Sequence, residues 1–169
     1  LQRLADLGDS CFDWAQLLPL LSCPKLDPPP LPAATESRVR IAIARDPAFS
    51  FYYADNLDLF TQLGAELVPW SPLTEALPDG IQGLYFGGGF PEVFAADLAQ
   101  NQAAIAQVRQ AIQTGMPTYA ECGGLMYLCE QIVDFAETPH PMTGILPVSA
   151  VMGSRLALGY RQARTLQDL

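Results

Sequence analysis

The sequence is poor in the residues that most metal sites and nucleic-acid surfaces need. It has a single histidine, His140, in 169 residues. It has four cysteines, Cys11, Cys23, Cys122 and Cys129, and no pair of them stands in Cys-x-x-Cys spacing. A zinc centre is disfavoured on both counts. The few cysteines argue against a disulfide scaffold and for a reducing, cytoplasmic setting. Lys and Arg number nine, are scattered, and are outweighed by 18 Asp and Glu, for a formal charge of −9. Nucleic acid and anionic membrane surfaces are therefore excluded as partners on electrostatic grounds. No apolar run is long enough to cross a bilayer; Leu17–Leu21 is short and broken by Pro19. The amino terminus does not read as a signal peptide. It opens on Leu1 rather than Met, as a stretch of a longer chain does.

What is present is half hydrophobic, enough for one ordinary core. Residues 1–23 read as one or two helices, with Asp13 before Trp14 as a cap. Residues 24–37 carry Pro24, Pro28, Pro29, Pro30 and Pro32, a stiff linker at a domain boundary. Beyond it the rhythm changes. Strands are predicted at Val39–Ala44, Glu66–Trp70, Gly83–Phe86 and Met116–Ala120. Helices are predicted at Tyr53–Leu63, Pro91–Leu98, Gln102–Thr114 and Gly123–Gln131. This alternation indicates an α/β fold with a mostly parallel sheet and helices on both faces. Gly144–Val151 and Arg155–Arg164 read as strands of an antiparallel extension.

The chemistry-bearing stretch is Ala120-Glu121-Cys122-Gly123-Gly124. A strand ends, a cysteine follows, and two glycines open a helix. That is the pattern of a nucleophile elbow, whose sharp turn needs small neighbours. A helix amino terminus favours a thiolate over a thiol, and a thiolate attacks a carboxamide carbon well. Gly87-Gly88-Gly89 lies at the end of another parallel strand, where open α/β sheets place their sites. Its uncovered amides, with that of Gly123, are candidates for an oxyanion hole: Gly88, Gly89 and Gly123. The triplet is not a P-loop, because no Gly-Lys-Ser or Gly-Lys-Thr follows. Cysteine is more often a small buried hydrophobe, and that reading is kept for Cys11, Cys23 and Cys129.

At these residues the chain resembles the glutamine amidotransferase domain of the cobyrinic acid a,c-diamide synthase family. The resemblance rests on 40–46, Phe49–Tyr53 with Asn56, Gly87–Glu92, Tyr119–Leu128 and Leu158–Arg161, within residues 38–164. The sister cobyric acid synthases differ beside the cysteine. The resemblance implies a flavodoxin-like, three-layer fold of the class I amidotransferase type, incomplete at its carboxyl end. It implies Cys122 as nucleophile and glutamine as substrate. It implies residues 1–23 as the tail of a synthetase domain, 24–37 as linker and 38–169 as the amidotransferase domain. That synthetase domain, on the same polypeptide, would use ATP and magnesium and act on a corrinoid; no cofactor is expected in this chain. The family's catalytic histidine lies in a motif after Leu158–Arg161 that this chain does not reach. His140 falls in a variable segment and reads as a solvated loop residue, so little or no activity is expected from this chain alone. An exposed sheet edge predicts self-association as a homodimer. Tyr52, Tyr53 and Asn56 match a family segment whose part is open: they face substrate or the synthetase domain, or they simply start a helix that packs on the sheet. Another cysteine hydrolase of the superfamily, and a module that only binds, are the rival readings.

Overall fold

Alternating β-branched and helical runs give the order the sequence suggests, seen here in a computed structural model that describes residues 1–22, 39–154 and 162. The chain divides into two units, Leu1–Pro32 and Ala33–Leu169. The expected proline linker lies outside the described residues.

In the first unit, α1 (Gln2–Cys11) is followed by α2 (Trp14–Leu17) and one 3-10 turn (Leu18–Leu21). Asp13 caps α2, its carboxylate accepting the Gln16 N–H at 3.2 Å. Leu4, Leu7 and Phe12 are exposed.

In the second unit, β1 (Val39–Ala44), β2 (Ala65–Trp70), β3 (Gly83–Phe86) and β4 (Thr118–Ala120) form a wholly parallel sheet in the order β2-β1-β3-β4. This is the doubly wound arrangement in which β1 leads outward to β2 and then back to β3. Helix α3 (Ala54–Gln62) makes the β1–β2 crossover and ends at Gly64, whose φ of 93° suits glycine. Its Phe60 packs on Tyr85 of β3, with ring centroids 5.7 Å apart. The opposite face carries α4 (Ala95–Gln100), α5 (Gln102–Gln113) and α6 (Gly123–Leu128). There Phe49, Phe86 and Tyr127 stack edge to face and tilted, within a core that includes Leu98, Val108, Ile132 and Met142. Burying each large apolar side chain contributes roughly 1.5–3 kcal/mol, so this layer carries most of the fold's stability. The architecture is flavodoxin-like, as the family resemblance implies.

Three expectations are corrected. Helix α6 stops at Leu128 instead of running to Gln131, and Cys129 opens a strand, β5 (Cys129–Val133). His140 is not in a solvated loop. It lies on β6 (Pro139–Pro141), paired with Ile132, with its side chain 14% exposed. The tail is not simply antiparallel: β6 is antiparallel to β5, but β7 (Leu146–Val151) runs parallel to β5, in the order β6-β5-β7. The second predicted tail strand, at 155–164, has only Gln162 among the described residues.

Candidate active site

Strand β4 delivers the chain to the carboxyl edge of the sheet, and the backbone there turns abruptly. The Glu121 N–H donates to the Phe86 carbonyl at 3.0 Å, the last tie between β4 and β3. Cys122 then adopts φ 51°, ψ −116°. Among the described residues only Cys122 and Glu137 are non-glycines with positive φ. Such a conformation costs on the order of 1–3 kcal/mol and persists only where surrounding structure enforces it. Here the enforcement is visible. The Gly124 N–H donates to the carbonyls of Glu121, at 2.8 Å, and Gly87, at 3.0 Å, locking the elbow to the glycine loop. Cys122 is exposed at the tip.

The glycine loop follows β3 and is held amide by amide. The Gly87 N–H donates to the Tyr52 hydroxyl at 3.0 Å. Gly88 and Phe51 exchange backbone hydrogen bonds, Gly88 N–H to Phe51 at 3.2 Å and Phe51 N–H to Gly88 at 3.0 Å. The Phe90 N–H donates to the Ala48 carbonyl at 3.0 Å. Among the described residues the amides of Gly89 and Gly123 are left without partners. They lie side by side: a Cβ built on Gly123 would sit 3.2 Å from the Gly89 nitrogen and 2.8 Å from Pro91 Cδ. Gly88 abuts the cysteine, since a Cβ there would be 3.7 Å from Cys122 Cβ. The structure thus brings Cys122, Gly88, Gly89 and Gly123 together, but the Gly88 amide is already committed. Open donors beside an exposed thiol are what an attack on a carbonyl carbon needs, because the oxygen that gains charge requires hydrogen bonds.

Of the three residues the sequence left unassigned, Tyr52 supports this loop. The Tyr52 hydroxyl donates to the Ala44 carbonyl at the end of β1 while accepting from Gly87. Burial is the main cause that pushes its ionisation up to about 12 from the ordinary 10.0. Tyr53 is exposed and stacks edge-on against Phe51 at 5.7 Å. Asn56 lines a cleft of about 260 Å³ with Leu59, Phe60, Leu63, Tyr85 and Tyr119. No local motif announces the Phe51–Gly88 and Tyr52–Gly87 contacts. They join segments about 35 residues apart.

Glu121 accepts hydrogen bonds from the hydroxyls of Tyr85 at 3.4 Å and Tyr119 at 3.3 Å. Burial first, then the Glu121 charge, raises the ionisation of Tyr85; for Tyr119 the carboxylate leads. His140 is taken up elsewhere: its Nε2 meets Asp134 Oδ2 at 2.8 Å. That bond is the first cause holding the Asp134 carboxyl below its ordinary value. Cys129 is buried, with its Sγ on the Leu125 carbonyl at 3.4 Å, and burial pushes its thiol up. Cys11 is exposed, and Cys23 lies outside the described residues. Among the described residues no three His, Cys, Asp or Glu side chains converge as a metal site does.

The buried tyrosines give a pH expectation. Unfolded, Tyr52 ionises near 10; folding pushes this up to about 12. Between these values the unfolded chain releases its proton first. Stability is therefore full below pH 10 and falls as pH rises towards 12. Tyr127, pushed up further by burial, acts in the same direction. Urea-unfolding midpoints that stay flat across this range would contradict the hydroxyl's place in the structure.

Comparison with known proteins places these residues in context. Residues 40–167 match the model of the CobB/CobQ-like glutamine amidotransferase domain. Cobyrinate a,c-diamide synthase of a Synechococcus strain is 56% identical over 99% of this chain. Those of a Synechocystis strain and of Gloeobacter violaceus are 48% and 47% identical over 98% and 99% of it. The chain spans only 36–38% of the length of these relatives. A solved structure of a protein described as peptidase E, from Listeria monocytogenes, superposes with a TM-score of 0.52 at 16% identity, covering 66% of this chain and 64% of that one. It shares the fold. No helix among the described residues is long and apolar enough to cross a membrane.

Proposed function

Because this chain belongs to the CobB/CobQ-like glutamine amidotransferase domain family, we propose that Cys122 attacks the side-chain amide of glutamine and releases ammonia for an amidation carried out by a longer protein. The Cys122 Sγ forms a bond to the amide carbon. The oxygen takes the charge and is held by the Gly89 and Gly123 amides. The C–N bond then breaks, the nitrogen takes the proton given up by the thiol and leaves as ammonia, and a thioester remains. Water hydrolyses the thioester to glutamate and returns the thiol. The observation that carries this reading is the strained, exposed Cys122 beside two open amides.

The relatives' name supplies the wider proposal. The ammonia would amidate two carboxylates of a corrinoid, cobyrinic or hydrogenobyrinic acid, on a synthetase domain of the same polypeptide. That step needs ATP and magnesium. The residues present here do not fit them, since the glycine triplet lacks the lysine and hydroxyl residue of a phosphate loop. No step of this chain's chemistry runs through them. Among the described residues strand β4 stands at the edge of the parallel sheet, which supports self-association.

The test is covalent labelling with a glutamine-derived diazoketone. One adduct on Cys122, suppressed by free glutamine, is expected. Labelling that glutamine does not slow, or that spreads equally to Cys11, would overturn the proposal in favour of a generic exposed thiol.

A further inference from the structure

An oxyanion hole works only if its donors are already in place when charge develops. The Gly89 amide sits on a loop of three consecutive glycines, the most flexible backbone a sequence can write. Something must hold it. The contacts around the loop identify what does. The Gly88 amide and carbonyl are both tied to Phe51 by backbone bonds that any residue at position 51 would make. The Gly87 carbonyl takes the Gly124 N–H and the Phe90 N–H goes to the Ala48 carbonyl, again backbone to backbone. Among the described residues the tie at the Gly87 amide is the one made by a side chain. The Tyr52 hydroxyl accepts the Gly87 N–H at 3.0 Å and donates to the Ala44 carbonyl, the last residue of β1. It therefore rivets the start of the loop to the end of a central strand. Its ring also occupies the space that a side chain at Gly87 would need, and it is steadied by Tyr85, edge-on at 5.3 Å.

We infer that Tyr52 is a positioning residue for the oxyanion hole: its hydroxyl bridge between Ala44 and Gly87 fixes the glycine loop so that the Gly89 amide stands ready beside Cys122. This rests on the amide-hydrolysis reading and adds to it the residue that presets one of its two donors. For Tyr52 it offers a further role beside those the sequence left open, facing substrate or the synthetase domain or starting a helix: it acts through the loop.

The distinction from plain core filling lies in the hydroxyl. Tyr52→Phe keeps the ring and removes only the bridge. Two reagents separate the effects. Methyl methanethiosulfonate transfers a methylthio group: the Cys122 sulfur bonds to the reagent sulfur, sulfinate leaves, and no carbonyl is involved. A glutamine-derived chloroketone is displaced by the same sulfur, with chloride leaving, while its ketone oxygen seats on the two amides. In Tyr52→Phe we expect the methylthiolation rate to stay within about twofold, since thiol access is unchanged, and the chloroketone rate to fall about tenfold, part of the cost of a mis-set donor. A chloroketone rate within about twofold of wild type overturns the inference. So does an equal fall with both reagents, which marks a merely structural role. Absence of glutamine protection in the wild type would instead fail the hydrolysis reading itself. Should the variant not fold, amide exchange in the wild type decides. Gly87 protected both before and after labelling, with Gly89 protected only in the adduct, supports the bridge. An unprotected Gly87 in the adduct refutes it.

Discussion

Cys122→Ala is expected to abolish incorporation of the glutamine-derived diazoketone completely, while Cys11→Ala and Cys129→Ala leave it intact. The three cysteines differ in surroundings, not in chemistry. Cys129 is buried with its sulfur on the Leu125 carbonyl, and its thiol is pushed up by burial. A buried thiol meets reagents only on local opening. Cys11 is exposed but is the last residue of α1, at the end of the helix where carbonyls rather than amides are open. Cys122 combines exposure with the amides of Gly89 and Gly123. Intact-mass analysis reads the outcome directly. A full adduct on Cys122→Ala would mean that another nucleophile serves, and the proposed mechanism would fall. Cys122→Ser is expected to behave like the alanine variant, because a neutral hydroxyl without a neighbouring base is a poor nucleophile.

The second large effect concerns turnover. This 169-residue polypeptide is expected to release ammonia from glutamine about a hundred- to ten-thousand-fold more slowly than the full-length Synechococcus relative. That span is what a general base typically contributes. The sole histidine is His140, and its Nε2 is bound to Asp134 on the β5–β6 hairpin. Among the described residues Cys122 has no side-chain hydrogen-bond partner that could relay a proton. Imidazole added to the assay should raise the rate by acting as a diffusible base. Turnover equal to that of the relative, unaltered in His140→Ala, would show that a group other than histidine does this work.

The elbow was legible because everything it needs is local: a strand end, a cysteine and two glycines in sequence. The four parallel strands were legible for the same reason. Strand β5 was not, and the cause is instructive. Leu125, Leu128, Cys129 and Ile132 stand at helical spacing, so the pattern reads as one helix. The structure buries Cys129 and Ile132 on a strand instead. A register shift between Cys129 and Gln131 lets two residues three apart be buried together, which the strict alternation of a strand forbids. Strand β6 was hidden by its prolines. It occupies the outer position in the order β6-β5-β7, where a proline's missing N–H is tolerated. The commitment of the Gly88 amide was beyond any local reading, because Phe51 comes from the far side of α3 and β2 in the chain.

The backbone at Cys122 carries one more implication. A glycine would adopt φ 51° without the penalty of roughly 1–3 kcal/mol that a side chain incurs there. The domain is therefore less robust for keeping its sulfur. Selection for durability and selection for reactivity oppose one another at this single codon, and a lineage freed from the second would be expected to drift towards a sturdier, inert version of the same scaffold.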